Sequence, residues 1–363
     1  CGAMLDPSLP LTLERAADGA ASLGPRPQEP TPPFPYLVEE VQVASAAGVM
    51  LAGTLTVPDG PGPTPGVVLV TGSGPQDRDE SLMGHRPFMV LADHLTRQGI
   101  AVLRYDDRGV GGSTGAFGQA TLEDFADDAE AALGYLDARD DVDAVGIIGH
   151  SEGGLVGPVV ATRTETVKYL VLLGAPGVSL RELLPLQNDR VAAAMGAPPA
   201  AAAANRQLQE TLFEILEVEP DPDAAGAQIE THLTEALSAT GLPPDAVNAQ
   251  VEAQVRQLTS PWMRHLLNYD PIPALEALEV PVLAATGSKD TQVPPDQNLP
   301  VIRRALQGGE SDDIEVVELE GLNHLFQTAD TGAPSEYALI EETMAPRLLE
   351  TVSSWILERF PTQ

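Results

Sequence analysis

Apolar residues follow two rhythms along this chain. The runs Gly66-Val67-Val68-Leu69-Val70, Ala144-Val145-Gly146-Ile147-Ile148 and Tyr169-Leu170-Val171-Leu172-Leu173 are continuous, the pattern of strands buried on both faces. Between such runs, apolar residues recur at helical spacing. Over residues 121–138, Phe125, Ala129, Leu133 and Leu136 share one face while acidic residues fill the other, and Thr121 with Asp124 resembles a capping pair. Residues 87–98 predict a helix ahead of a strand over 100–105; strands over 282–286 and 314–319 and a closing helix over 336–360 complete the series. Near the start, residues 37–44 and 50–57 alternate or are β-branched and are joined by Ala46-Ala47-Gly48, which predicts an antiparallel pair. Strands alternating with helices imply an α/β fold, a mostly parallel sheet with helices on both faces.

Two segments break the rhythm. Residues 1–35 are proline-rich and aperiodic, and read as a tether or as a segment laid over the surface. Residues 178–269 are rich in alanine, with helical periodicity over 205–216 and 224–237 and breaks at Pro198-Pro199, Pro220 and Pro243-Pro244. This stretch reads as a helical insertion placed as a cap, because it leaves the sheet directly after a core strand. The expected division is therefore a tether over 1–35, a core over 36–177 and 270–363, and a cap over 178–269.

Composition narrows the class. With 43% hydrophobic residues in 363, the chain can bury a large core, and with 4% aromatics that core is mostly aliphatic. No apolar run approaches the roughly 20 residues that span a bilayer, so a soluble body is expected. The formal charge of -33 repels nucleic acid and anionic lipid. Lysine occurs only at 168 and 289, and acidic residues are spread along the chain, as in proteins of salt-adapted organisms or simply in an acidic soluble protein. Cys1 is the one cysteine, which excludes an intrachain disulfide. Cys1-Gly2-Ala3 ahead of the proline-rich stretch resembles the start of a mature bacterial lipoprotein, with Cys1 lipidated and the protein anchored in the cell envelope; a truncation ahead of Met4 would instead leave it cytoplasmic.

Gly149-His150-Ser151-Glu152-Gly153 follows the run ending at Ile148 and precedes a small, aliphatic helical stretch. Strand, glycine-flanked serine and helix in that order predict a nucleophile elbow with Ser151 at its tip. A serine hydroxyl needs a base. Of six histidines, His94 falls in a predicted helix, His232 and His265 in the insertion, and His150 inside the elbow; His324 follows the last predicted strand, where α/β sheets build their sites. The carboxylate that orients such a base is assigned to Asp290, in Thr286-Gly287-Ser288-Lys289-Asp290-Thr291-Gln292-Val293-Pro294 after another predicted strand.

With Ser151, Asp290 and His324 in that chain order, the sequence resembles a serine esterase of the α/β-hydrolase superfamily from about residue 36 to the C-terminus. Tyr105-Asp106-Asp107-Arg108-Gly109-Val110-Gly111-Gly112-Ser113 is similar to a structural turn of many relatives. Thr71-Gly72-Ser73-Gly74-Pro75-Gln76-Asp77-Arg78-Asp79-Glu80 resembles the oxyanion loop of some bacterial esterases. The resemblance implies an oxyanion hole formed by the amides of Glu152 and Ser73, with Gly74 as the alternative to Ser73. It also implies a small-molecule ester as substrate, an acyl-enzyme on Ser151, and no metal or organic cofactor. Aminopeptidases, thioesterases and acyltransferases share these three residues, and a catalytically silent binding protein on the same fold is the reading from another class.

Overall fold

The computed structural model describes residues 26–362; Cys1, the lipidation expected there and most of the expected tether lie outside the described residues. The chain enters through β1 (Tyr36–Ala44) and β2 (Met50–Pro58), then alternates: β3 (Thr64–Val70), α1 (Pro87–Arg97), β4 (Ala101–Tyr105), α2 (Leu122–Asp137), β5 (Val142–His150), α3 (Gly153–Arg163) and β6 (Val167–Leu173). Six helices follow, α4 (Leu180–Ala194), α5 (Pro199–Val218), α6 (Pro222–Ser238), α7 (Pro244–Leu258), α8 (Pro261–Leu267) and α9 (Ile272–Glu276). The chain then returns to the sheet with β7 (Val282–Gly287), α10 (Pro295–Gly308), β8 (Ile314–Leu319) and α11 (Pro346–Arg359).

The strands form one sheet in the order β1-β2-β4-β3-β5-β6-β7-β8. β1 pairs antiparallel with β2 and β2 with β4; the remaining pairs are parallel. The continuous apolar runs have the burial they imply. Val68, Ile147, Leu170, Leu172 and Ala284 face a core shared with α2, α3 and α10, whereas Val67, Leu69, Ile148, Val171 and Leu283 face one shared with α1 and α11. Adjacent residues serve opposite faces, so polar alternation has no place in these strands. Order reverses around β3, flanked by β4 and β5, which puts the carboxyl ends of β3 and β5 at the crevice where such sheets bind ligands.

Local signals explain the boundaries. The capping box at Thr121 and Asp124 opens α2, whose buried face is Leu122, Phe125, Ala126, Ala129, Ala132, Leu133 and Leu136. In the insertion Pro199 and Pro244 act as helix starts, because a proline in the first turn gives up no helical hydrogen bond; Pro220 lies between α5 and α6, and the start of α6 falls at Pro222. The closing helix begins later than residue 336. A short 3-10 turn covers Pro334–Leu339, and the α-helix starts only at Pro346, which occupies its first turn, where the missing N–H costs no helical hydrogen bond.

Residues 26–35 lie against the body. Arg26 is buried, and its guanidinium donates to the carbonyls of Met83, Gly84, Ala338 and Ile340, while Gln28 exchanges hydrogen bonds with the backbone of Thr343 and Met344. Among the described residues no helix is long and apolar enough to cross a membrane.

Candidate active site

Ser151 stands between the end of β5 and the start of α3 with φ 52, in the left-handed region that a serine seldom adopts, and its amide donates to the Leu173 carbonyl at 2.8 Å. The flanking glycines are required by contact. A Cβ on Gly149 would overlap the Gly153 carbonyl, and one on Gly153 would overlap the carbonyl of Val70, so the turn closes only on bare backbone.

Asp290 and His324, 34 residues apart in sequence, meet at the carboxyl ends of β7 and β8. His324 Nδ1 donates to Asp290 Oδ2 at 2.7 Å; the other carboxylate oxygen accepts the amides of Gln292 and Val293, each at 2.8 Å. Both side chains are buried. Burial pulls the imidazole below its ordinary value of 6.5; the Asp290 charge opposes the shift without cancelling it, so His324 is neutral at neutral pH. Its Nδ1 proton is committed to Asp290, which leaves Nε2 as the basic nitrogen.

Ser151 opens on a cleft also lined by Ser73, Gly74 and Glu152, with Leu155 of α3, Leu180, Leu183, Leu184 and Gln187 of α4, Gln257 of α7, and Trp262 and Leu266 of α8. Core loops thus supply the polar floor and the helical insertion supplies an aliphatic wall. Ser73 and Gly74 both line the cleft with Ser151. Glu152 is buried beneath the insertion, where Trp262 Nε1 donates to its Oε1 at 2.6 Å; burial pushes this carboxyl up to about 7.

The turn after β4 fixes the loop carrying Ser73. Asp106 accepts from the Arg78 guanidinium and the amides of Arg78 and Gly112, Asp107 accepts from the Thr71 hydroxyl and the Gln76 amide, and Arg108 reaches across to Asp124 and Asp128 of α2. One further pair was not singled out by sequence reasoning. Glu80 Oε1 accepts from the Gly72 amide and lies 2.8 Å from His150 Nδ1, and His150 Nε2 donates to the His324 carbonyl at 3.0 Å. The sequence sign of it was a histidine beside the nucleophile and a carboxylate closing the glycine-rich loop. The other four histidines are apart from this constellation: His85 bonds Thr343 and the Tyr337 carbonyl, His94 bonds Ser353, and His232 and His265 lie in α6 and α8.

Comparison with known proteins agrees with this architecture. The profile of a family described as "Serine aminopeptidase, S33" matches residues 86–328. Esterase EstD of Thermotoga maritima is 28% identical over 310 residues, which is 85% of this chain and 66% of that one, so the chain spans just under two thirds of this relative's length. Among solved structures, the Pyrococcus furiosus esterase Pf2001 superposes with TM-score 0.56 at 14% identity, over 90% of this chain and 92% of that chain. The alpha/beta hydrolase GrgF from Penicillium sp. sh18 gives 0.50 at 18% identity, over 80% and 91%. At such identities the likeness concerns the fold, which is that of an α/β hydrolase.

Proposed function

Because the chain belongs to the serine aminopeptidase S33 family of α/β hydrolases, we propose that it cleaves carboxylic esters through an acyl-enzyme on Ser151. The observation that carries this reading is the buried His324–Asp290 pair at 2.7 Å, set at the strand ends beside a serine held at φ 52. His324 Nε2 takes the proton of the Ser151 hydroxyl as its oxygen attacks the ester carbonyl, and Asp290 stabilises the imidazolium that forms. The amides of Glu152 and of Ser73 or Gly74 then face the oxygen on which negative charge develops. Collapse of the tetrahedral intermediate returns the proton to the departing alcohol, and water activated by the same imidazole releases the acid.

The aliphatic wall from α4 and α8 supports an apolar acyl group in the cleft. Esterase EstD, named as an esterase, supports the same reaction class. The family description favours a second reading, release of an amino-terminal residue on the same three side chains.

Fluorophosphonate labelling of the wild type, with Ser151→Ala as control, tests the nucleophile. A panel of p-nitrophenyl esters of rising acyl length, run beside an aminoacyl p-nitroanilide, tests the bond cleaved. Labelling confined to the wild type and ester turnover well above anilide turnover are expected; absent labelling, or anilide turnover that dominates, would overturn the assignment.

A further inference from the structure

The pair Glu80 and His150 sits at a junction of three segments, the loop after β3, the elbow and the loop after β8. Glu80 belongs to the loop after β3, at φ 53, a left-handed backbone that a glutamate adopts only when its surroundings hold it there. Its Oε1 takes the amide of Gly72, the residue before Ser73, at 2.8 Å, and faces His150 Nδ1 at 2.8 Å. His150 directly precedes Ser151, and its Nε2 donates to the backbone carbonyl of His324 at 3.0 Å. The two imidazole rings are 4.8 Å apart, tilted by 40°. The pair is buried, 4% and 5% exposed, and Glu80 Oε2 finds no hydrogen-bond partner among the described residues.

A buried carboxylate with one oxygen unpartnered is tolerated when a full positive charge faces the other oxygen. With Nε2 donating to a carbonyl, His150 provides that charge by donating from Nδ1 as well. We propose that Glu80 and His150 are positioning residues, locking the oxyanion loop and the His324 loop around Ser151 and setting an imidazolium beside the base. The inference rests on the reading of Ser151, His324 and Asp290 as the reacting set.

The groups that face His150 are Glu80 from the loop after β3, Asp290 from the loop after β7 and His324 from the loop after β8. Burial works against a charge on His150; the Glu80 carboxylate, the His324 carbonyl and Asp290 outweigh it, and the balance lies above the ordinary histidine value. In turn the His150 charge adds to the burial that keeps His324 neutral. Removing that charge lets His324 hold a proton to higher pH.

The test is the rate of fluorophosphonate labelling of Ser151 against pH, which needs no assumption about the substrate. His150→Gln keeps a donor for the His324 carbonyl and removes the charge. It is expected to label about 10- to 100-fold more slowly, with the acid limb moved to higher pH, at a thermal midpoint that shows a folded protein. Glu80→Gln keeps an acceptor for Gly72 and carries the test should His150→Gln not fold. The double variant is expected to be no slower than the slower single one, because the two residues act as one unit. An unmoved acid limb in a folded variant, or losses that multiply in the double, would overturn the proposal while leaving the nucleophile assignment standing. A wild type that fails to label would remove both.

Discussion

Trp262 of α8 holds Glu152, the residue after Ser151, through a hydrogen bond of 2.6 Å from its indole nitrogen. The helical insertion is thereby tied to the elbow by a side chain whose charge state changes near neutrality. Burial raises the Glu152 carboxyl from 4.5 to about 7, and the indole bond opposes the shift only in part.

The sign of the linkage follows. Between pH 4.5 and 7 the folded state binds a proton that the unfolded state releases, so stability falls as pH rises through this window. Glu152→Gln keeps an acceptor for Trp262 and removes the titration. Urea unfolding is expected to show little difference at pH 4 and a gain of up to about 3 kcal/mol for the variant at pH 8. Equal differences at both pH values would contradict it.

Catalysis has its own pH signature. A base whose pKa is held below 6.5 by burial stays deprotonated in mild acid, so the acid limb of kcat/KM is expected to have its midpoint below that value. Asp290→Asn removes the charge and the partner that fixes the Nδ1 proton, and should lower kcat by about 10⁴-fold. A pH-rate profile of both proteins on one p-nitrophenyl ester measures each effect.

The elbow and helix α2 respond oppositely to one methyl group. Gly149→Ala drives a Cβ into the Gly153 carbonyl and should cost about 3 kcal/mol or more, with activity lost. Gly134→Ala, in α2, meets nothing within 4 Å and should stabilise by about 0.5–1 kcal/mol. Chemical denaturation of the two variants side by side separates them.

Arg26→Ala removes donors to four carbonyls in two loops and leaves those acceptors under-satisfied. The expected loss is about 2–3 kcal/mol, read as a lower urea midpoint with ester turnover per folded molecule unchanged.

What could be read from the chain in advance depended on how local each signal was. Ile147 and Ile148 announced a strand buried on both faces, and Gly149 and Gly153 announced a tight turn, because in each case the neighbours in sequence supply the constraint. The helices α4, α7 and α8 were not resolved individually within the insertion. Their apolar residues, such as Val247 and Val251 or Trp262 and Leu266, are buried only once the helices pack on one another and on the core, and alanine-rich helical sequence gives few boundaries beyond its prolines. Glu80 and His150 escaped for the same reason. One glutamate among 53 acidic residues has no distinguishing pattern until the fold brings it to a histidine 70 positions away.

Arg26 also decides how a force reaching it is shared. Its guanidinium divides such a pull between the Met83-Gly84 loop and the strap around Ala338 and Ile340. Neither loop carries Ser151, Asp290 or His324. Load carried by Arg26 therefore enters the backbone ahead of α1 and ahead of α11, and one of its two arms ends in the same loop after β3 that carries Ser73, Gly74 and Glu80.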